Sequence, residues 1–187
     1  MIKVTLLGDS IRQIGYGTMV PKLLGSEFEV FQPEENCRFS KYTLRGLFDW
    51  KEQMEGSRII HWNNGLWDAS CIFDDGLFTD EEEYVKNMLR IAKILKERYE
   101  AVIFATTTPL NSDYLYTKNK DVRRYNELIV PRLEKMGIII NDLHSLVASD
   151  IEKYICEDKI HLSGAGIKIC ANQVAEVIRK AADKLKK

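Results

Sequence analysis

Short apolar runs rich in β-branched residues recur along this chain, and between them apolar side chains return every three or four positions. The runs are Ile2-Lys3-Val4-Thr5-Leu6-Leu7, Phe28-Glu29-Val30-Phe31, residues 57–62 with Ile59-Ile60-His61-Trp62, Ala101-Val102-Ile103-Phe104-Ala105, and Gly137-Ile138-Ile139-Ile140-Asn141-Asp142. Each has strand length, and the unbroken 101–105 run has the pattern of a parallel strand buried on both faces. The longer periodic stretches predict helices. They cover 16–24, closed by Gly25; 42–54, with Leu44, Leu47, Phe48 and Trp50 on the apolar side; 79–98; and 122–135, ended or kinked near Pro131. Residues 143–156 read as short helical pieces, and a last helix runs from Ser163 or Gly164 to the lysine-rich end at 180–187. Strands alternating with helices predict an α/β fold, a three-layer α/β/α sandwich on a five-stranded parallel sheet. Asp74-Asp75-Gly76 marks a turn in the long loop 65–79.

Length and charge narrow the class. The 187 residues are expected to form a single domain, 1–187. A net charge of −1 gives no electrostatic case for nucleic acid or an anionic membrane surface. No stretch of 18 apolar residues predicts a membrane span. No basic-then-apolar leader precedes the first strand, so a cytoplasmic location is expected, although a leader removed from a longer precursor would leave the same sequence. Cys37, Cys71, Cys156 and Cys170 are scattered, without zinc spacing, and are expected as reduced thiols. Asp80-Glu81-Glu82-Glu83 suits the positive end of a helix dipole better than a metal. Nothing in the sequence fixes an oligomeric state.

Three short segments carry candidate chemistry. The first strand stops at Gly8-Asp9-Ser10, which places a hydroxyl at the carboxyl end of the sheet, where open α/β folds bind ligands. Taken alone, Asp9 or Ser10 reads by default as a cap of the next helix. Near the other end, Asp158 and His161 stand three residues apart, close enough for a carboxylate to orient an imidazole. A serine needs such an oriented base to become a nucleophile at neutral pH. Asn63-Asn64-Gly65 follows the third strand, where an amide side chain can donate to a developing oxyanion. His61 lies inside a strand and His144 in a connecting segment, so both read as structural. Arg38 reads either as a substrate-orienting cation or as a partner of Glu34 or Glu35. Trp62 and Trp67 read either as pocket walls or as packing under the loop.

Gly8-Asp9-Ser10, Asn63 and Asp158-x-x-His161, in that order along the chain, resemble the SGNH (GDSL-type) hydrolase family. The resemblance implies the flavodoxin-like strand order 2-1-3-4-5, which brings Ser10 and Asn63 together at the switch point. It implies a catalytic set of Ser10, Asp158 and His161, and an oxyanion hole built from the amides of Ser10 and Cys37 and the side chain of Asn63. Cys37 stands by position where the family carries glycine. Asp9, Arg38, Asn64 and Trp67 are candidate substrate contacts. The activity implied is hydrolysis of a small-molecule ester through an acyl-enzyme, with no metal or organic cofactor. The site loops carry Asn36, Arg38, Asn64, Asp68, Asp74, Asp75, Thr107 and Asn111. Polar walls of that kind predict an acetyl-type ester of a carbohydrate or other polar alcohol. The competing readings are a lysophospholipase, thioesterase or acyltransferase with the same triad, or a catalytically silent binding protein. A nucleotide-binding module is disfavoured, because no glycine-rich phosphate loop follows the first strand.

Overall fold

The five apolar runs align as one parallel sheet. In the computed structural model, which describes residues 1–73 and 75–186, they form β1 (Ile2–Leu7), β2 (Phe28–Phe31), β3 (Ile59–Trp62), β4 (Ala101–Ala105) and β5 (Ile139–Asn141). Their order is β2-β1-β3-β4-β5, as the resemblance implied. All five residues of β4 are buried, which is why that run carries no polar alternation. Leu7 of β1 registers with Trp62 of β3, and the Asn63 N–H donates to the Leu7 carbonyl at 3.2 Å. The ends of the two central strands therefore lie side by side at the point where strand order reverses.

Helices cover both faces and complete the α/β/α sandwich. α1 (Val20–Leu24) and α7 (Gly164–Leu185) pack together on one side. α2 (Ser40–Asp49), α3 (Glu81–Arg98) and α4 (Asn119–Lys135) pack in sequence on the other. Two short helices, α5 (Leu143–Ala148) and α6 (Ile151–Tyr154), lie against α7. Caps follow the sequence signals: Asp80 accepts from the Glu83 N–H at 2.8 Å, and Ser163 accepts from the Gly166 N–H at 3.1 Å. Among the described residues, no helix is long and apolar enough to cross a membrane. The four cysteines are free. The expected turn at 74–76 and the last lysine of the chain fall partly outside the described residues, at Asp74 and Lys187.

Some expectations need correction. Residues 16–24 do not make one helix: after a π turn, Ile11–Gly15, comes a 3₁₀ turn, Tyr16–Thr18, and then the short α1. Two glycines and Pro21 interrupt the backbone pattern, and a Cβ on Gly17 would stand 2.5 Å from the Arg12 carbonyl. α2 starts at Ser40 and stops at Asp49, short of residue 54. Phe48 is exposed; Thr43 and Leu47 form the inward side, while Arg45 and Lys51 lie over the Phe48 ring. α4 begins at Asn119, three residues earlier than expected, and passes through Pro131 to Lys135. Pro131 is on the exposed side of the helix.

Candidate active site

Where β1 ends, Gly8 has no side chain because none would fit: a Cβ there would stand 2.0 Å from the Asn63 Oδ1. The chain then turns sharply. The Ile11 N–H donates to Asp9 Oδ1 at 3.0 Å, and the Arg12 and Gln13 N–H groups donate to the Asp9 carbonyl. Ser10 heads this π turn, and its own N–H stands ahead of the first turn, without a partner inside it.

The base arrives on a tight loop near the opposite end of the chain. An antiparallel bridge between Ile155 and Leu162 closes it, and the Cys156 N–H donates to the His161 carbonyl at 2.8 Å. Lys159 adopts φ +72°, a left-handed conformation that lets four residues double back. Asp158 Oδ1 accepts from the N–H groups of Ile160 and His161 at 3.0 and 2.9 Å. Its Oδ2 lies 2.6 Å from His161 Nδ1. A carboxylate only accepts, so Nδ1 carries the proton and Nε2 presents a lone pair. That Nε2 lies 2.9 Å from Ser10 Oγ. Partial burial alone would raise the Asp158 carboxyl, but these backbone donors, the Cys156 thiol and His161 hold it well below the usual carboxylate range.

Asn63 follows β3 directly. Its Nδ2 donates to Asp9 Oδ1 at 2.8 Å, leaving one amide proton uncommitted, and its Oδ1 accepts from the Tyr16 hydroxyl at 2.7 Å. Asp9 is fully buried, which raises its carboxyl; the bonds from Asn63 and Ile11 and the nearby Arg12 cation oppose that rise. It shapes the turn and cannot touch a substrate. Asn64 is equally buried, its Nδ2 donating to the Arg38 carbonyl at 2.9 Å.

The loop after β2 departs most from expectation. The Cys37 N–H donates to the Gly8 carbonyl at 3.0 Å, and its sulfur accepts from the Gly8 N–H at 3.1 Å. Its amide is thus spent inside the protein and does not face the nucleophile. One residue on, Arg38 adopts φ +49°, the conformation that favours glycine, and its N–H donates to Asn36 Oδ1 at 2.7 Å. The Arg38 guanidinium lies over the Tyr42 ring, 4.9 Å from its centroid, while Glu35 accepts from the Tyr42 hydroxyl. Arg12, which the sequence did not single out, is the buried anchor here. Its guanidinium donates to the carbonyls of Pro33, Gly8 and Glu35. A cation between Ile11 and Ile14, directly after the first strand, was the available signal.

Ser10 and His161 open onto a cleft of about 620 Å³. Its walls are mainly Leu66, Trp67, Ile72, Tyr114, Tyr116 and Ile160, with Asn36, Ser70 and Thr117 as polar members. Of the polar set expected around the site, Asn36 alone among the described residues lines the cleft, and Asp74 lies outside them. Asn64, Asp68 and Thr107 are buried in hydrogen bonds beneath it, and Asn111 is tied to Lys159, Asp113 and Glu152. Trp67 is a cleft wall, as one of its two readings had it, and Trp62 is fully buried against Phe104.

No protein-family model matches the chain. A GDSL esterase/lipase of Arabidopsis thaliana is 25% identical over 211 residues, covering 96% of this chain and 79% of its own length. An acetyl xylan esterase, AlAXEase, superposes with a TM-score of 0.80 at 17% identity, over 95% of this chain and 100% of its own. A lipase/acylhydrolase from Enterococcus faecalis gives 0.81 at 17% identity, over 96% of each chain. Axe2, an acetylxylan esterase from Geobacillus stearothermophilus, gives 0.76 at 14% identity, over 94% and 93%. In fold, in the order of its motifs and in its curated relative, this chain is similar to the SGNH (GDSL-type) hydrolases, as its sequence resemblance implied.

Proposed function

We propose that this chain is a serine ester hydrolase that works through an acyl-enzyme. The observation that carries the reading is the continuous hydrogen-bonded line Ser10–His161–Asp158 at the mouth of the cleft. His161 Nε2 takes the Ser10 proton as Oγ attacks the ester carbonyl, and Asp158 stabilises the imidazolium that forms. The tetrahedral oxyanion accepts from the Ser10 N–H, from the free Asn63 Nδ2 proton and from the Arg38 N–H. Arg38 takes the part expected of Cys37, since its left-handed backbone is what a glycine at that point would supply. Its N–H is satisfied by the half-buried Asn36 side chain at rest, and the oxyanion displaces that contact. His161 then protonates the leaving alcohol, and water, deprotonated by the same nitrogen, releases the acid.

The substrate in this reading is a short-chain, acetyl-type ester of a carbohydrate or similar alcohol. The acetyl xylan esterases among the structural neighbours support it, as do the rings of Trp67, Tyr114 and Tyr116, on which pyranose faces pack. The apolar lining favours a second reading, in which the cleft takes a longer acyl chain, and the relative named esterase/lipase agrees with it. Covalent labelling by a fluorophosphonate, lost in Ser10→Ala, tests the nucleophile; unchanged labelling of that variant overturns it. The kcat/KM series for p-nitrophenyl acetate, butyrate and octanoate separates the substrates. A falling series supports the acetyl reading, and a rising one, up to about 0.8 kcal/mol per added methylene, supports the lipid ester.

A further inference from the structure

We propose that Tyr16 is a positioning residue that fixes which end of the Asn63 amide faces the nucleophile; the proposal rests on the esterase reading above. The two ends of an asparagine amide are nearly identical in shape, so only their partners decide the orientation. The end matters here, because nitrogen would donate to an oxyanion and oxygen would repel it. The slot holding Asn63 is narrow. Its Oδ1 sits directly over Gly8, in space that any side chain there would fill. On the outer side the Tyr16 hydroxyl donates to that oxygen at 2.7 Å.

Two constraints act on the amide. Asp9, when ionised, accepts only, and so asks for the nitrogen end, which it meets at 2.8 Å. That constraint weakens if Asp9 protonates, and burial pushes its carboxyl in that direction. Tyr16 supplies the constraint that does not weaken. Its hydroxyl is fully buried, and among the described residues Asn63 is its one hydrogen-bond partner. Turning the amide would leave the phenolic proton buried with no acceptor. Burial also holds the Tyr16 phenol well above its ordinary value, so it remains a donor through neutral and alkaline conditions. The ring is itself fixed edge-on against His61, with centroids 5.5 Å apart, so the hydroxyl cannot swing aside.

Tyr16→Phe removes the hydroxyl and keeps the ring. With p-nitrophenyl acetate, kcat should fall about tenfold while KM stays within about twofold. In the Asn63→Ala background the same change should cost less than about twofold, because the group being positioned is gone. An unchanged kcat, or an equal loss in both backgrounds, overturns the proposal. A wild-type protein that hydrolyses no ester overturns the esterase reading instead. A spectroscopic test is independent of turnover and of that reading. Of the two Asn63 side-chain N–H protons, assigned by their absence in Asn63→Ala, the one bonded to Asp9 should exchange slowly with solvent in the wild-type protein and rapidly in Tyr16→Phe. Rapid exchange of that proton already in the wild type sinks the proposal even if Tyr16→Phe does not fold.

Discussion

Cys37 and Gly8 hold each other by two hydrogen bonds, one from the Cys37 N–H to the Gly8 carbonyl and one from the Gly8 N–H to the Cys37 sulfur. The pair ties the loop after β2 to the turn that carries Ser10. Replacing Cys37 by alanine leaves the buried Gly8 N–H without its acceptor, a loss of about 1–3 kcal/mol. We expect Cys37→Ala to lower the urea midpoint while reducing kcat less than tenfold. A large loss of activity at unchanged stability would give the sulfur a chemical role.

If the proposed mechanism holds, Asn63→Ala removes one oxyanion donor and should lower kcat about 10²–10³-fold, roughly 2.7–4 kcal/mol. KM should change little, since the bond forms only as charge develops. Steady-state kinetics on p-nitrophenyl acetate decides this, and a change confined to KM would move Asn63 from catalysis to binding.

Asp158→Asn keeps an oxygen for the Ile160 and His161 N–H groups, so the loop should survive. What it loses is the charge that fixes the His161 tautomer, and kcat should drop about 10⁴-fold. Because Asp158 is held well below the usual carboxylate range, it stays ionised as the pH falls. The acid limb of the wild-type kcat/KM profile should therefore contain no carboxylate ionisation in the usual range that Asp158→Asn removes. Such an ionisation in that limb would contradict the assignment.

His61 is buried in β3, and its surroundings lower its value from 6.5 to about 3. Below pH 6.5 the unfolded chain gains a proton that the folded protein refuses, so stability falls with pH from there down to about 3. Between pH 7.5 and 5 this one residue should cost about 2 kcal/mol, at 1.36 kcal/mol per pH unit below 6.5. Urea unfolding of the wild type and His61→Gln at both pH values isolates the effect, since every other group titrates in both proteins. Parallel losses would show that His61 is not responsible.

The strands and the acid–base pair were legible because each is a local signal. An apolar run such as Ala101–Ala105 needs no partner to be recognised, and Asp158 and His161 are linked within a single turn. The cleft was not legible, because its lining depends on which side chains the folded loops turn inward. Asn64 and Asp68 look like site residues in sequence, yet they are the groups that knit the loops together from below. The left-handed backbone of Arg38 was hidden for a similar reason: a positive φ leaves no mark on the identity of an arginine. Tyr16 lay inside a predicted helix whose real course is set by close packing against Arg12.

Ser10 and His161 are 151 positions apart, and the loop bearing His161 is carried between α6 and α7. In the esterase reading, activity is therefore a late readout of folding. As the chain emerges from a ribosome, Ser10 is made 151 positions before His161 and waits for that stretch before it has a base. The early strands can pair without creating a reactive serine. Closing so long a loop is also an entropically slow step. Recovery of fluorophosphonate labelling during refolding should lag behind recovery of helical signal, and the lag measures how late the last helix docks.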